Sequence, residues 1–182
     1  MFNKLRKLLV LLLIILNETG STSAGCTFFS SKCDFKNRGL TTVPTKLRGS
    51  IVSLDLTKNA ITVIPPSAFA GNWRLAKLYL DSNQLTSIHL DAFQYLRLLQ
   101  ELTLSSNKIT HIQPGLPNLQ MLLLSSNNIK NIQSGIFSGL PKLRILSLDS
   151  NHITTIQPGT FSDQVFSVTI HNNPWQCDSF YF

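Results

Sequence analysis

The side chains that most often carry catalysis or bind metals are few and scattered in this chain of 182 residues. Its four histidines are His89, His111, His152 and His171. The first three occupy different places in a repeating segment, and His171 has no cysteine or carboxylate at a ligand spacing. No nucleophile elbow, phosphate-binding loop or metal motif occurs. The sequence therefore predicts that the protein is not an enzyme and uses no cofactor and no metal.

A second set of side chains could bind a ligand without catalysing a reaction. They lie in or beside short apolar segments and flank leucines, so they should face outward from a sheet that buries those leucines. The candidate binding residues are Lys77, Tyr79, Asp81, Glu101, Thr103, Met121, Leu123, Arg144, Ile145 and Phe166. Exposed apolar side chains rimmed by polar ones usually mark an interaction site. The apolar members should contact the less polar parts of a ligand, while Lys77 and Arg144 should pair with its phosphates or carboxylates.

One frame positions these residues, namely apolar-x-x-apolar-x-apolar-x-x-Asn, and it occurs six times. Its asparagines are Asn59, Asn83, Asn107, Asn127, Asn151 and Asn173, spaced by 24, 24, 20, 24 and 22 residues. This signature with a period of about 20–29 residues is typical of a leucine-rich repeat. The predicted fold class is an α/β-type solenoid, a leucine-rich-repeat horseshoe with a six-strand parallel concave sheet plus an N-terminal cap.

The segments that return the chain from one strand to the next carry a second regular feature. Phe69, Phe93, Phe137 and Phe161 recur at one place in them and should stack as a spine. The third repeat is four residues shorter, lacks this phenylalanine, and contains Pro114 and Gly115, which favour a tight turn. We therefore expect a gap in the spine there. The repeated asparagines and phenylalanines are interpreted as structural.

Residues 1–24 are predicted to be a secretory signal peptide. Lys4, Arg6 and Lys7 precede the apolar run 8–16, which is too short to span a bilayer, and Thr22-x-Ala24 fits a cleavage site. The alternative is an uncleaved membrane anchor. No other segment reaches transmembrane length. The mature protein is expected to be secreted and extracellular, with no membrane span.

The charge of the chain is positive, and part of it is concentrated before the first repeat. Removing residues 1–24 lowers the formal net charge from +7 to +5. The cations of the cap region are Lys32, Lys36, Arg38, Lys46 and Arg48, with Asp34 as its one acid. Such an end could attract anionic surfaces, or it could be a solvated cap. No nucleic-acid-binding motif is present, so nucleic acid is not an expected partner.

Two flanking segments carry a family resemblance. The segment from Cys33 to Pro44 resembles the end of the N-terminal cap of extracellular leucine-rich-repeat proteins, and Asn173-Pro-Trp-Gln-Cys-Asp178 resembles the start of their C-terminal cap. With its 24-residue repeats and varied sheet face, the chain resembles the variable lymphocyte receptors and related secreted proteins of chordates.

The leader segment, the repeated frame and this resemblance together divide the chain into a signal peptide (1–24), an N-terminal cysteine cap (25–50), leucine-rich repeats (51–173) and a truncated C-terminal cap (174–182). The family's N-terminal cap usually has four cysteines and this one has two, which implies a reduced cap closed by a Cys26–Cys33 bridge. Ser179 stands where the family has the second cysteine of its C-terminal cap.

Cys177 is an odd cysteine in a chain predicted to be secreted, which suggests an intermolecular bridge or a reactive thiol. A homodimer that joins the two C-terminal ends near Cys177 and Trp175 would cover the apolar surface of both last coils. The alternative is a truncated gene product with a disordered stub.

The function implied by the resemblance is recognition in innate or variable-lymphocyte-receptor-like immunity. The expected partners are a microbial surface glycolipid, glycan or protein antigen, bound through the concave face, and a second copy of the chain. The alternative function is an extracellular matrix or developmental module that binds a host protein.

Overall fold

The computed structural model describes residues 25–26, 30–89, 91–112, 115–161, 165 and 167–176. The predicted signal peptide, Phe166 and Cys177 lie outside the described residues. In the described part of the chain the strands are β1 (Lys32–Asp34), β2 (Ser53–Asp55), β3 (Val63–Ile64), β4 (Lys77–Tyr79), β5 (Ser87–Ile88), β6 (Glu101–Thr103), β7 (Met121–Leu123), β8 (Ile145–Ser147) and β9 (Ser167–Thr169).

The main sheet is parallel and has the strand order β1-β2-β4-β6-β7-β8-β9. Equivalent frame positions lie opposite each other, as Leu54 does to Leu78 and Leu102 to Leu122. Strands β3 and β5 form a second, two-stranded parallel sheet between successive return segments. Stacked coils of this kind confirm the predicted solenoid. The described return segments consist of turns, and no helix occurs in that part of the chain.

The cap contributes a strand that the sequence did not predict, so the described main sheet has seven strands where six were expected. Cys33 of β1 lies opposite Leu54 and is only 2% exposed. Phe35 is also buried, and its backbone N–H donates to Asp55 O at 2.8 Å. Cys33-x-Phe35 therefore replaces the Leu-x-Leu of the repeats. A frame defined by leucine and asparagine does not find it.

The asparagine that ends each frame joins adjacent coils. Asn107 Nδ2 donates to Leu80 O of the preceding coil and to Leu104 O of its own, both at 3.0 Å, while Oδ1 accepts from the N–H of Leu85 at 3.0 Å. Equivalent bonds occur at Asn59, Asn83, Asn127, Asn151 and Asn173. A buried amide is stable only when it is paired in this way. The structure thus confirms the structural interpretation of these residues.

The phenylalanine spine is divided into two stacked pairs. Phe69 and Phe93 have ring centroids 6.0 Å apart, and Phe137 and Phe161 are 5.7 Å apart. Between the pairs, the short third repeat places Leu116 beside a cavity of about 20 Å³ that Phe93 also lines. The predicted gap in the spine is therefore present, and the interior there is less densely filled.

The two ends of the described chain are closed by different contacts. Cys26 and Cys33 form the predicted disulfide, with Cα atoms 4.3 Å apart. Near the other end, the backbone N–H of Gln176 donates to Thr154 O at 3.0 Å, and partly buried Trp175 packs against the core. A membrane-spanning helix does not occur in the part of the chain that the structure describes.

Candidate binding face

The surface that holds most candidate residues is formed by the first and third residues of each main-sheet strand. The middle residue of each strand points into the core, so its neighbours face the opposite side. Strand register arranges them in two rows, Lys32-Ser53-Lys77-Glu101-Met121-Ile145-Ser167 and Asp34-Asp55-Tyr79-Thr103-Leu123-Ser147-Thr169. We call this surface, which the sequence predicts to be concave, the sheet face.

One part of the sheet face is charged. Lys77 and Glu101, neighbours in the first row, form an ion pair with Nζ and Oε2 2.7 Å apart. The hydrogen bond from Lys77 to Glu101, with the attraction between their charges, raises the pKa of Lys77. Burial, followed by repulsion from Glu101, raises the pKa of Tyr79, so its hydroxyl is protonated at neutral pH. A ligand anion that approached Lys77 would therefore have to compete with Glu101.

Another part of the sheet face is apolar. Met121 and Ile145 lie opposite each other on adjacent strands, and Leu123 follows two residues after Met121 on the same face. Ile145 is 39% exposed, while Met121 and Leu123 are half-buried. We call these three residues the apolar patch. The structure thus brings together three of the five apolar candidates.

The other two apolar candidates are not part of this patch. Tyr79 lies on β4, two strands away from Met121 and Leu123, with β6 between them. Phe166 is outside the described residues. Tyr79 belongs instead with the charged pair Lys77 and Glu101, whose side chains influence its pKa.

The prediction that Thr103 is exposed for ligand contact is wrong. Only 4% of this residue is exposed, and its Oγ1 donates to Oδ2 of Asp81 in the preceding coil. The other carboxylate oxygen of Asp81 accepts from the backbone N–H of Ser105 at 2.7 Å. Asp81 therefore connects two coils, and both of its carboxylate oxygens already have partners within the chain.

Asp149, which is not among the predicted binding residues, makes the same kind of connection between β8 and β9. Its Oδ2 accepts from Thr169 Oγ1 at 2.5 Å and from Ser147 Oγ at 2.9 Å, and its Oδ1 accepts from the backbone N–H of His171 at 2.7 Å. Burial alone would raise the pKa of Asp149, but these hydrogen bonds outweigh burial and lower it. The sequence pattern that could have predicted both connections is an aspartate after one strand and a threonine in the strand of the next coil.

Arg144 borders the apolar patch. It is exposed and directly precedes Ile145, and its backbone N–H donates to Gln120 O at 2.9 Å. This position fits the predicted place of a cation beside apolar contacts. Among the residues that the structure describes, no group of three or more His, Cys, Asp or Glu side chains could hold a metal ion.

Comparison with known proteins identifies the repeat. The family described as Leucine rich repeat matches residues 49–109 and 117–173, which is more than half of the chain. The chain belongs to the leucine-rich-repeat family. The interval between the two matches falls in the return segment of the short third repeat. No curated protein matches this leucine-rich-repeat chain significantly.

Among solved structures, this leucine-rich-repeat chain is similar to a chain in the crystal structure of the TLR13–ssRNA13 complex. The TM-score is 0.69 and the sequence identity is 30%. The match covers 78% of this chain but 21% of that chain, so this chain spans about a fifth of its length. In all, 370 solved chains match, and a fold shared so widely does not specify a ligand.

Proposed function

We propose that this leucine-rich-repeat protein binds a component of a microbial surface, or an antigen, through its sheet face. Leucine-rich-repeat proteins often act in recognition or binding. The observation that carries the proposal is the apolar patch, whose residues keep part of their surface in water while the same rows elsewhere hold mainly polar side chains. Burying apolar surface against a ligand gains about 25 cal/mol per Å². Coil stacking alone does not require apolar side chains at these outward positions.

The surroundings of the apolar patch restrict its ligand. On one side of the patch, the Lys77–Glu101 pair lies on β4 and β6. On the other side, the hydroxyls of Ser147 and Thr169 lie on β8 and β9. A glycolipid, a glycan or a protein antigen with a less polar part between hydrogen-bonding groups would match this arrangement. A uniformly anionic polymer matches it less well, because the carboxylate of Glu101 would repel it.

The size of the sheet face favours multivalent binding. The seven strands of the described main sheet, about 4.8 Å apart, span only about 29 Å, which is a modest footprint. A microbial surface that displays many copies of the ligand would bind a protein with two such faces more tightly than it binds one face. In this proposal the protein is secreted, acts in innate or variable-lymphocyte-receptor-like immunity, and forms a homodimer near Cys177 and Trp175. The Cys26–Cys33 bridge agrees with an oxidising compartment.

The dimer is tested separately from ligand binding. Non-reducing electrophoresis and light scattering of the wild type and of Cys177→Ser should show a covalent dimer that the substitution abolishes. A monomer in both proteins would refute the dimer while leaving the sheet face as a binding site.

Ligand binding is tested by screening the purified protein against whole bacteria, isolated glycans and host extracellular fluid. Met121→Ser with Ile145→Ser should weaken binding to the microbial ligand by about tenfold or more, since the few apolar residues that anchor the centre of a binding site cost about 1 kcal/mol or more each when truncated. The matched control is Val63→Ser, because Val63 is an apolar residue of β3 that is 45% exposed outside the main sheet. Equal binding by both variants would refute the proposed site. Capture of a host protein in place of any microbial ligand would favour the matrix or developmental function.

A further inference from the structure

We propose that a second surface of this protein docks on a membrane whose lipid headgroups are anionic. This surface, the strand-entry edge, consists of the segments 46–50, 70–74, 94–98, 115–118 and 139–142, each of which ends where a frame begins. It lies beside the main sheet and shares no residue with the sheet face. The inference is therefore independent of the ligand proposed for that face.

The segments of the strand-entry edge stack on one another as the coils do. Asn72 Nδ2 donates to Arg48 O at 3.1 Å, and Asn118 Nδ2 donates to Arg97 O at 2.7 Å. Lys142 Nζ then donates to Asn118 Oδ1 at 2.6 Å. Strands β4 and β6, which follow the second and third segments, are neighbours in the main sheet. The segments therefore form one continuous strip along the solenoid.

Apolar side chains are concentrated on this strip. Of the five large apolar side chains that are exposed in the described part of the chain, three lie here, namely Trp73 (58% exposed), Leu98 (47%) and Tyr95 (44%). Tryptophan and tyrosine favour the boundary between lipid headgroups and acyl chains, because their rings have an apolar body and a polar group. An exposed leucine gains only by leaving water. Together these side chains match the requirements of shallow insertion.

The charge of the strip is of one sign. Its cations are Lys46, Arg48, Arg74, Arg97 and Lys142, and these segments contain no aspartate or glutamate. The guanidinium of Arg74 lies 5.7 Å from the ring centroid of Trp73, so a cation accompanies the most exposed aromatic ring. The equivalent stretch of the sixth coil, 162–164, lies outside the described residues. Anionic headgroups attract basic groups at this kind of surface.

The pattern of side chains favours lipid over a linear polyanion. Trp73 and Arg97 are 24 residues apart and hold equivalent positions in adjacent coils, and so do Arg74 and Leu98. Apolar and cationic groups therefore alternate across the strip. A single-stranded nucleic acid would need aromatic rings on which successive bases stack, and Leu98 supplies none. A lipid surface accepts both groups at once, with the cations at the phosphates and the apolar groups below them.

Co-sedimentation of the purified full chain with lipid vesicles tests this proposal. We expect binding to vesicles of phosphatidylcholine and phosphatidylglycerol, weaker binding to phosphatidylcholine alone, and a decrease with rising salt. Trp73→Ser with Leu98→Ser should reduce partitioning into the vesicles by about tenfold or more. Arg74→Gln with Arg97→Gln should reduce it by a similar factor, since each cation near such a surface contributes about a factor of five. Trp73→Phe should retain most binding.

The matched control is Lys108→Gln with Lys130→Gln, which removes the same charge from two exposed positions outside the strand-entry edge. It should leave vesicle binding unchanged. All variants are produced in the same way and have the same amino terminus, so a difference in vesicle binding between two of them arises from their substitutions, and urea unfolding checks that each variant is folded. Equal loss in edge and control variants, no vesicle binding at all, or binding of single-stranded RNA or a sulfated glycan by the edge in place of vesicles would overturn the proposal.

A further variant separates this proposal from the proposed function. Met121→Ser with Ile145→Ser should keep full vesicle binding while it loses the ligand of the sheet face. The edge variants should keep that ligand while they lose vesicles. If the sheet-face variant also lost vesicle binding, the edge would not be the docking surface.

Discussion

The first and last coils of the solenoid carry the same alternation of side chains but are buried to different extents. At the amino end, β1 lies over β2, and Cys33 of β1 is 2% exposed. At the other end, β9 pairs with β8 in the same register, yet Val168 and Ile170 are only partly buried. The difference follows from what covers each edge strand: Cys33 is paired with and bridged to Cys26, whereas no described segment pairs with β9 on the side away from β8.

The largest expected effect comes from removing a buried leucine in the middle of the stack. Leu78→Ala should lower the free energy of unfolding by about 3 kcal/mol, since Leu78 is fully buried between coils. Val168→Ala in the last coil should lower it by about 1 kcal/mol, because fewer atoms are lost from a partly exposed site. Urea unfolding followed by circular dichroism measures both. Similar losses for the two variants would contradict the difference between middle and end.

The asparagines provide a second comparison. Asn107→Ala should cost about 2 kcal/mol, because two buried carbonyl groups and one backbone N–H lose their partner. Asn173→Ala removes equivalent bonds where water has partial access, so its cost should be about half as large. The same unfolding experiment reports both values, and an equal cost would show that solvent access is unimportant at the last turn.

The disulfide tests how strongly the amino end depends on its cap. Replacing Cys26 and Cys33 by serine should lower the free energy of unfolding by about 2 kcal/mol through greater freedom of the unfolded chain. Amide hydrogen exchange should lose protection first in β1 and β2, while β7 and β8 keep theirs. Uniform loss of protection along the chain would argue against a local role for the cap.

The smallest effect should come from acid. The folded pKa of Asp149 is lowered, so the stability that this carboxylate contributes is present above its unfolded pKa, near 4, and disappears as the pH falls through the folded value. Because Asp149 is partly exposed, its contribution should stay below about 1 kcal/mol. Unfolding free energies of the wild type and Asp149→Asn should converge as the pH falls from about 5 to below the lowered folded pKa of Asp149. If the unfolding free energies of the two proteins kept a constant difference across that range, the hydrogen bonds from Asp149 to β9 would not be the cause of the pH dependence.

Much of the fold follows from the sequence because each repeat uses the same residue types for the same contacts. Asn107, Leu102 and Phe93 hold fixed frame positions, and the structure gives them the predicted roles. The strand β1 was not predicted because its buried residues are Cys33 and Phe35. These side chains occupy the positions that leucines hold in the repeats.

The sheet face was less predictable, because its contacts join residues of different coils. Alternation correctly places Lys77, Glu101 and Met121 on one side of the sheet. It does not predict that Lys77 forms an ion pair with Glu101, or that Thr103 is buried with its hydroxyl donating to Asp81. These contacts form because side chains extend across the gap of about 5 Å between neighbouring strands. The sequence of one repeat taken alone does not predict them.

The repeated asparagine turns also bear on how the length of such a protein can change. Asn83 and Asn107 make equivalent bonds to the coils before them, and 24 residues separate them. A gene that lost or duplicated those 24 codons would join one turn to its counterpart, leaving the reading frame and the stacking intact. Each such event would shorten or lengthen the sheet face by one strand. The sheet face of this chain is thus built of repeated units, and its extent is set by their number.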